Sequence, residues 1–190
     1  MKKLISLLSI MALLFLSCEK GLTEKDKKEY TTKGKEIAQA TVKRLGGELT
    51  KHMKEGGVAK AAPYCNAHAG NLTQEVSEKF NATVKRTSNK LRNSENAPNA
   101  KEETIIAHFE KLIASKEELK PVVELDNEGL PHFYAPIKLQ KKCLSCHGVL
   151  GESMKHEADS IIKTLYPKDK AIGFKEGDLR GIWSITFKSE

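Results

Sequence analysis

Cys143 and Cys146 stand three apart in KKCLSCHGVLG, residues 141–151, and His147 follows the second directly. Three chemistries use such a pair. In c-type haem attachment two thiols add to the two vinyl groups, and the adjacent histidine turns under the iron as its proximal ligand. A redox dithiol sits at the start of a helix in a βαβ unit. A structural zinc site takes four nitrogen or sulfur ligands. The segments flanking this motif read as a strand and a helix without a βαβ pattern, which argues against the dithiol. Zinc would need Cys65 to complete a Cys3His set, and the chain has no second paired motif to supply one. The CxxCH spacing therefore points to one covalent haem c, held by Cys143 and Cys146 with His147 on the iron.

The other axial position has many candidates: His52, Met53, Cys65, His68, His108, His132, Met154 and His156. Cys65 and His68 stand out, because they share one helix face in AAPYCNAHA, residues 61–69, where alanines leave room for a flat macrocycle. A single cysteine on an apolar helix face is commonly a small inert core residue, so the residues alone leave the sixth ligand open. In RTSNKLRN, residues 86–93, Arg86 and Arg92 are candidates for gripping a haem propionate through a bidentate ion pair. The plainer reading is a solvated loop whose Asn and Ser side chains make turn hydrogen bonds. EGDLRG, residues 176–181, reads as a turn feeding the last strand. No Ser/His/Asp triad, phosphate loop or paired-carboxylate site appears.

Thioether attachment belongs outside the cytosol, and the N-terminus agrees. MKKLISLLSIMALLFLSC has two lysines, an apolar run from Leu4 to Leu16, and Ser17 before Cys18. This is the form of a secretory signal, and the run falls short of the ~20 residues of a spanning helix. Phe15-Leu16-Ser17-Cys18 resembles a lipobox, with Phe15 in place of the usual leucine. The expectation is a lipoprotein signal over 1–17, lipidation of Cys18 and a membrane partner reached through the acyl chains. Residues 18–33 are almost wholly polar and read as a tether, and 34–190 as the haem domain. The net charge of +7 is interspersed with acids and has no basic run with aromatics between its charges, so nucleic acid is not a partner.

Periodicity supplies the elements that must position these side chains. Tyr30, Ile37, Thr41, Leu45, Leu49 and Met53 mark one face of a first helix, which Gly46-Gly47 can interrupt and Gly56-Gly57 ends. Ala61, Cys65, Ala69, Leu72, Val76 and Phe80 mark a second, in which Pro63 is comfortable only in a first turn. A strand at 83–88, a polar loop through Asn99 and a helix over 101–119 follow. Strands at 122–125 and 130–137 read as a hairpin around the turn Asp126–Gly129. A helix around 153–165 and a loop at 166–178 lead to a closing strand at 181–187, with Trp183, Ile185 and Phe187 on one inward face. Helices first and antiparallel strands later predict an α+β fold, a sheet backed by N-terminal helices.

Four stretches carry a further likeness. AAPYC at 61–65, RTSNKLRNSENAP at 86–98, YAPI leading into CLSCH over 134–147, and LYPKDKAIGFKEGDLRGIWSI at 165–185 resemble the single-haem c-type domains with a PAS-like fold. These occur as secreted proteins and as sensor modules. The resemblance implies a PAS-like antiparallel sheet and a covalent haem with a His/Cys axial pair, His147 and Cys65. It also implies redox or gas sensing as the role, with a small gas ligand and a redox or signalling protein as partners. A mono-haem electron-transfer cytochrome is the alternative. A haem enzyme such as a peroxidase would need an open iron site with His68 or His52 recruited as distal acid/base group.

Overall fold

The computed structural model describes residues 21–189; the expected signal, Cys18 and the start of the expected tether lie outside them. Helix α1 spans Glu24–Lys79 and begins inside the segment whose polarity suggests a tether. The cause is a capping box: Thr23 Oγ1 accepts the Asp26 N–H at 3.2 Å, and Asp26 Oδ2 accepts the Thr23 N–H at 3.0 Å. Lys27–Glu24 and Lys33–Glu29 pairs lie along the first turns, and the Tyr30 ring packs 4.8 Å from Phe187 in the sheet. Polar composition concealed a helix that is held by its ends and by one aromatic.

Gly56 and Gly57 leave helical geometry, Gly57 at φ 62°, a left-handed value that favours glycine. They divide α1 into two arms, 24–55 and 58–79, that fold back on each other. Arg44 Nε reaches Glu75 Oε2 at 2.9 Å across the pair, and the Tyr64 ring stacks 4.0 Å from His52 and 4.4 Å from His68. Gly46-Gly47 interrupts nothing. Pro63 lies inside the helix rather than in a first turn.

Strands β1 (Ala82–Thr87), β2 (Val122–Leu125), β3 (Pro131–Lys138) and β4 (Leu179–Phe187) form one antiparallel sheet in the order β1-β4-β3-β2. The chain is thus α+β as expected, with its sheet backed by the N-terminal arms. Alternation alone suggested one covered face of β4, but helices pack on opposite sides of the sheet and cover both. Trp183, Ile185 and Phe187 pack with Phe133 against Ile37, Ala38 and Val76 of α1. Ile182 packs on the other side with Tyr134 against Ile105, Ile106 and Phe109 of α2, Ala100–Ala114. Gly34 is where the first arm meets the sheet: a side chain there would lie on the Phe133 ring.

The remaining chain builds one end of the sheet. A 3-10 turn at Lys141–Cys143 runs into the one-turn helix α3, Leu144–His147. Helix α4, His156–Leu165, starts later than expected, because 149–154 is a turn closed by a Leu150–Met154 bridge.

Candidate functional site

The motif sits where three segments converge: α3, the loop after β1, and the loop between α4 and β4. The two loops are joined at the backbone, Lys170 N–H donating to Leu91 O at 2.7 Å. The second loop also holds α3, with Phe174 N–H on His147 O at 3.0 Å and Gly173 N–H on Gly148 O at 2.9 Å. Cys143 packs at the edge of Leu139, Ala171 and Phe174. Cys146 packs at the edge of Ala62, Met154, Ala158 and Ile162. All three motif side chains are half-buried.

His147 is set in one tautomer by its neighbour. Its Nδ1 lies 2.7 Å from Ala171 O, and a carbonyl can only accept, so Nδ1 carries the proton and Nε2 the lone pair. Burial first, then the positive charges of Arg92 and Arg180, push its pKa down to about 3 against the opposing pull of the Ala171 bond. The ring is neutral across the physiological range, the form that binds a metal.

Cys65 lies on the second arm of α1, close enough to Cys146, Arg86 and Arg92 for their charges to bear on it. Burial pushes its thiol up, Cys146 adds to that, and the two guanidinium groups oppose it. Tyr166, at the end of α4, shares a side-chain hydrogen bond with Asn66 and feels the same cysteine and arginines. The fold therefore gathers Cys65, Cys146, Arg86 and Arg92, which are far apart in sequence, around one place.

The other axial candidates are differently placed. His108 is exposed on α2, across the sheet. His132 Nε2 is 2.8 Å from Asp126 Oδ2, with Thr186 Oγ1 3.1 Å from its Nδ1. His52 pairs with Glu55 at 3.2 Å and stacks on Tyr64, as does the exposed His68. Met53 is half-buried near the turn of the arms, and His156 is exposed at the start of α4. Met154 is 1 % exposed in the cluster beside Cys146. Among the described residues no group of three or more His, Cys, Asp or Glu side chains is arranged to hold a metal ion, which removes support from a Cys3His zinc site.

Arg92 and Arg86 differ in kind. Arg92 is paired with Asp169, and its Nη2 also donates to Cys146 O and Ala171 O. The Arg86 guanidinium makes no hydrogen bond or ion pair among the described residues, yet burial pushes its pKa down, with Cys65 and Tyr166 opposing. Sequence reasoning missed Arg180, which it left in a turn. Burial first, then Arg92, bring its pKa down to about 10, with Asp169 opposing and Arg86 adding to the fall. Its Nη1 donates to Lys90 O at 3.0 Å, and its guanidinium lies 5.8 Å from the Phe174 ring. Asp169 thus pairs with Arg92 and offsets the charge of Arg180, while the Arg86 guanidinium stays without a carboxylate partner among the described residues. The clustering of the three arginines across three segments left no local signal in the sequence.

A neutral histidine with a defined lone pair, two thiols on a turn against apolar walls, and cations in excess of anions fit a covalently held, anionic, flat cofactor. The fold and this end of it define an α+β domain with a helical hairpin on a four-stranded sheet and a CxxCH turn at its edge. The chain belongs to the Tll0287-like family, whose model matches residues 22–188. It is similar in fold to the crystal structure of the cyanobacterial heme-protein Tll0287, with a TM-score of 0.62 and 24% identity over 89% of this chain and 98% of that one. Likeness at that identity establishes the fold. Nothing among the curated proteins matches this chain.

Proposed function

We propose that this chain carries one covalent haem c and works outside the cytoplasm, anchored through lipid on Cys18, as a redox or gas sensor. The observation that carries the haem reading is the His147 bond to Ala171 O at 2.7 Å, which prepares Nε2 as a ligand. The membership of the Tll0287-like family and the fold shared with a heme-protein support it. Cys143 and Cys146 would hold the group through thioethers, and His147 would bind the iron. Cys65 would supply a second, soft donor to the iron, its raised thiol pKa disfavouring the anion when no metal holds it. Arg86 and Arg180 are the cations set to face propionates, with Arg92 contributing charge from its ion pair. When bound, the haem supplies an iron centre that takes up one electron and small gas ligands.

Sensing is favoured over simple electron transfer because a protein thiol opposite a histidine is a ligand that can be displaced. A thiolate pushes electron density toward iron and lowers the potential. The Cys65 sulfur would be held less tightly by an iron of lower charge, where its raised thiol pKa would favour the protonated form. The electron-transfer alternative draws on the half-buried motif edge and the exposed Lys141 and Lys142 beside it. The haem-enzyme reading has less behind it, since His52 and His68 both stack on Tyr64.

The test is the ferrous protein's carbon monoxide and nitric oxide binding, with optical and paramagnetic resonance spectra of both oxidation states, beside Cys65→Ser. The wild type should show a thiolate-type low-spin ferric spectrum and bind gas faster once reduced. The variant should lose the thiolate signature and have a higher midpoint potential. Unchanged spectra and potential in Cys65→Ser would remove Cys65 from the site and favour the electron-transfer cytochrome.

A further inference from the structure

We propose that Arg92 and Asp169 are positioning residues for His147, setting through the Ala171 carbonyl how strongly Nε2 donates; this rests on the haem reading above. Ala171 O accepts twice, from His147 Nδ1–H at 2.7 Å and from Arg92 Nη2–H at 3.3 Å. A carbonyl has two lone pairs and can serve both donors, but each donor draws density from the oxygen and weakens its hold on the other. The same Nη2 donates to Cys146 O, directly before His147, and to Asp169, so its two hydrogens serve three acceptors and one of them is shared. Asp169 grips the guanidinium with both oxygens, Oδ1 3.3 Å from Nε and Oδ2 3.2 Å from Nη2. Asp169 Oδ1 also accepts the Ala171 N–H at 2.9 Å. Asp169, Arg92 and Ala171 close a ring of hydrogen bonds from which His147 hangs at the Ala171 carbonyl, with Asp169 1 % and Arg92 16 % exposed at the side chain.

The partner of a histidine's second nitrogen governs its strength as a ligand. Taking Arg92 off Ala171 O makes that oxygen the better acceptor, gives His147 more imidazolate character, and favours ferric iron. The midpoint potential should fall. Loss of the Arg92 charge acts in the same direction, so Arg92→Lys, which keeps the charge and loses the fork, isolates the positioning effect. Asp169→Asn is the second variant. It removes a negative charge, which by itself raises the potential, while it unseats Arg92.

The experiment measures, in the haem-loaded chain, the midpoint potential and the proton resonance of His147 Nδ1–H in the reduced state. Arg92→Lys should lower the potential and move the resonance downfield in the fraction that carries haem. Asp169→Asn should move the resonance the same way in spite of its opposite charge effect. Wild-type resonance positions in both variants would overturn the proposal, including in whatever fraction keeps haem if loading falls. If the wild-type chain holds no haem, the haem reading fails separately, and the same resonance in haem-free Arg92→Lys still decides the positioning role.

Discussion

At the residue scale, what the sequence made legible was the chemistry of contiguous residues. Cys143, Cys146 and His147 announce themselves by spacing, and the structure adds the partner that fixes the histidine, Ala171 O. Arg180 and Asp169 were illegible because their meaning lies in neighbours distant in the chain. Tyr134 is another such residue, with consequences for stability. It is 3 % exposed on the α2 face of the sheet, and burial first, then the carboxylates of Glu124, Glu102 and Asp126, raise its pKa to about 12. A phenol in the unfolded chain titrates near ~10. Its folded value being raised, the stabilisation is complete below ~10 and is lost as pH rises through about 12. Urea midpoints across that window should therefore fall more steeply for the wild type than for Tyr134→Phe. Parallel curves would mean that the phenol titrates alike in the folded and the unfolded chain.

At the element scale, the α+β class, the hairpin of strands and the break at Gly56-Gly57 were all readable from periodicity and turn residues. Two things were not. Helix α1 starts at Glu24 because Thr23 and Asp26 cap it, and hydrophobic periodicity has nothing to say about a solvated first turn. The second covered face of β4 depends on α2 packing across it from elsewhere in the chain, and alternation within one strand cannot report such a long-range contact. The contact between the first arm and the sheet gives the sharpest test of the packing. A Cβ at Gly34 would fall on the wholly buried Phe133 ring, and overpacking of this kind costs ~1–3 kcal/mol. Gly34→Ala should lower the urea midpoint accordingly while leaving the motif turn intact. A midpoint equal to the wild type would show that the arm has room to move off the sheet.

At the scale of the whole molecule, one end of the sheet holds CxxCH, Cys65 and three arginines, and the described chain begins just before the Thr23 cap of α1. A lipid anchor at Cys18 would place this domain close to a membrane surface. Cys18→Ala should then move the protein from the membrane fraction to the soluble or unprocessed one with the haem spectrum unchanged. A wild type found wholly in the soluble fraction would remove the anchor from the account. Everything proposed about ligation rests on covalent attachment at one turn. The direct measurement is the intact mass of denatured, acid-extracted protein made in a compartment that carries out haem attachment. The expected result is a gain of one haem, kept through the remaining thioether in Cys143→Ala or Cys146→Ala and abolished in the double variant. A wild-type chain that releases all its haem and keeps its bare polypeptide mass would contradict it.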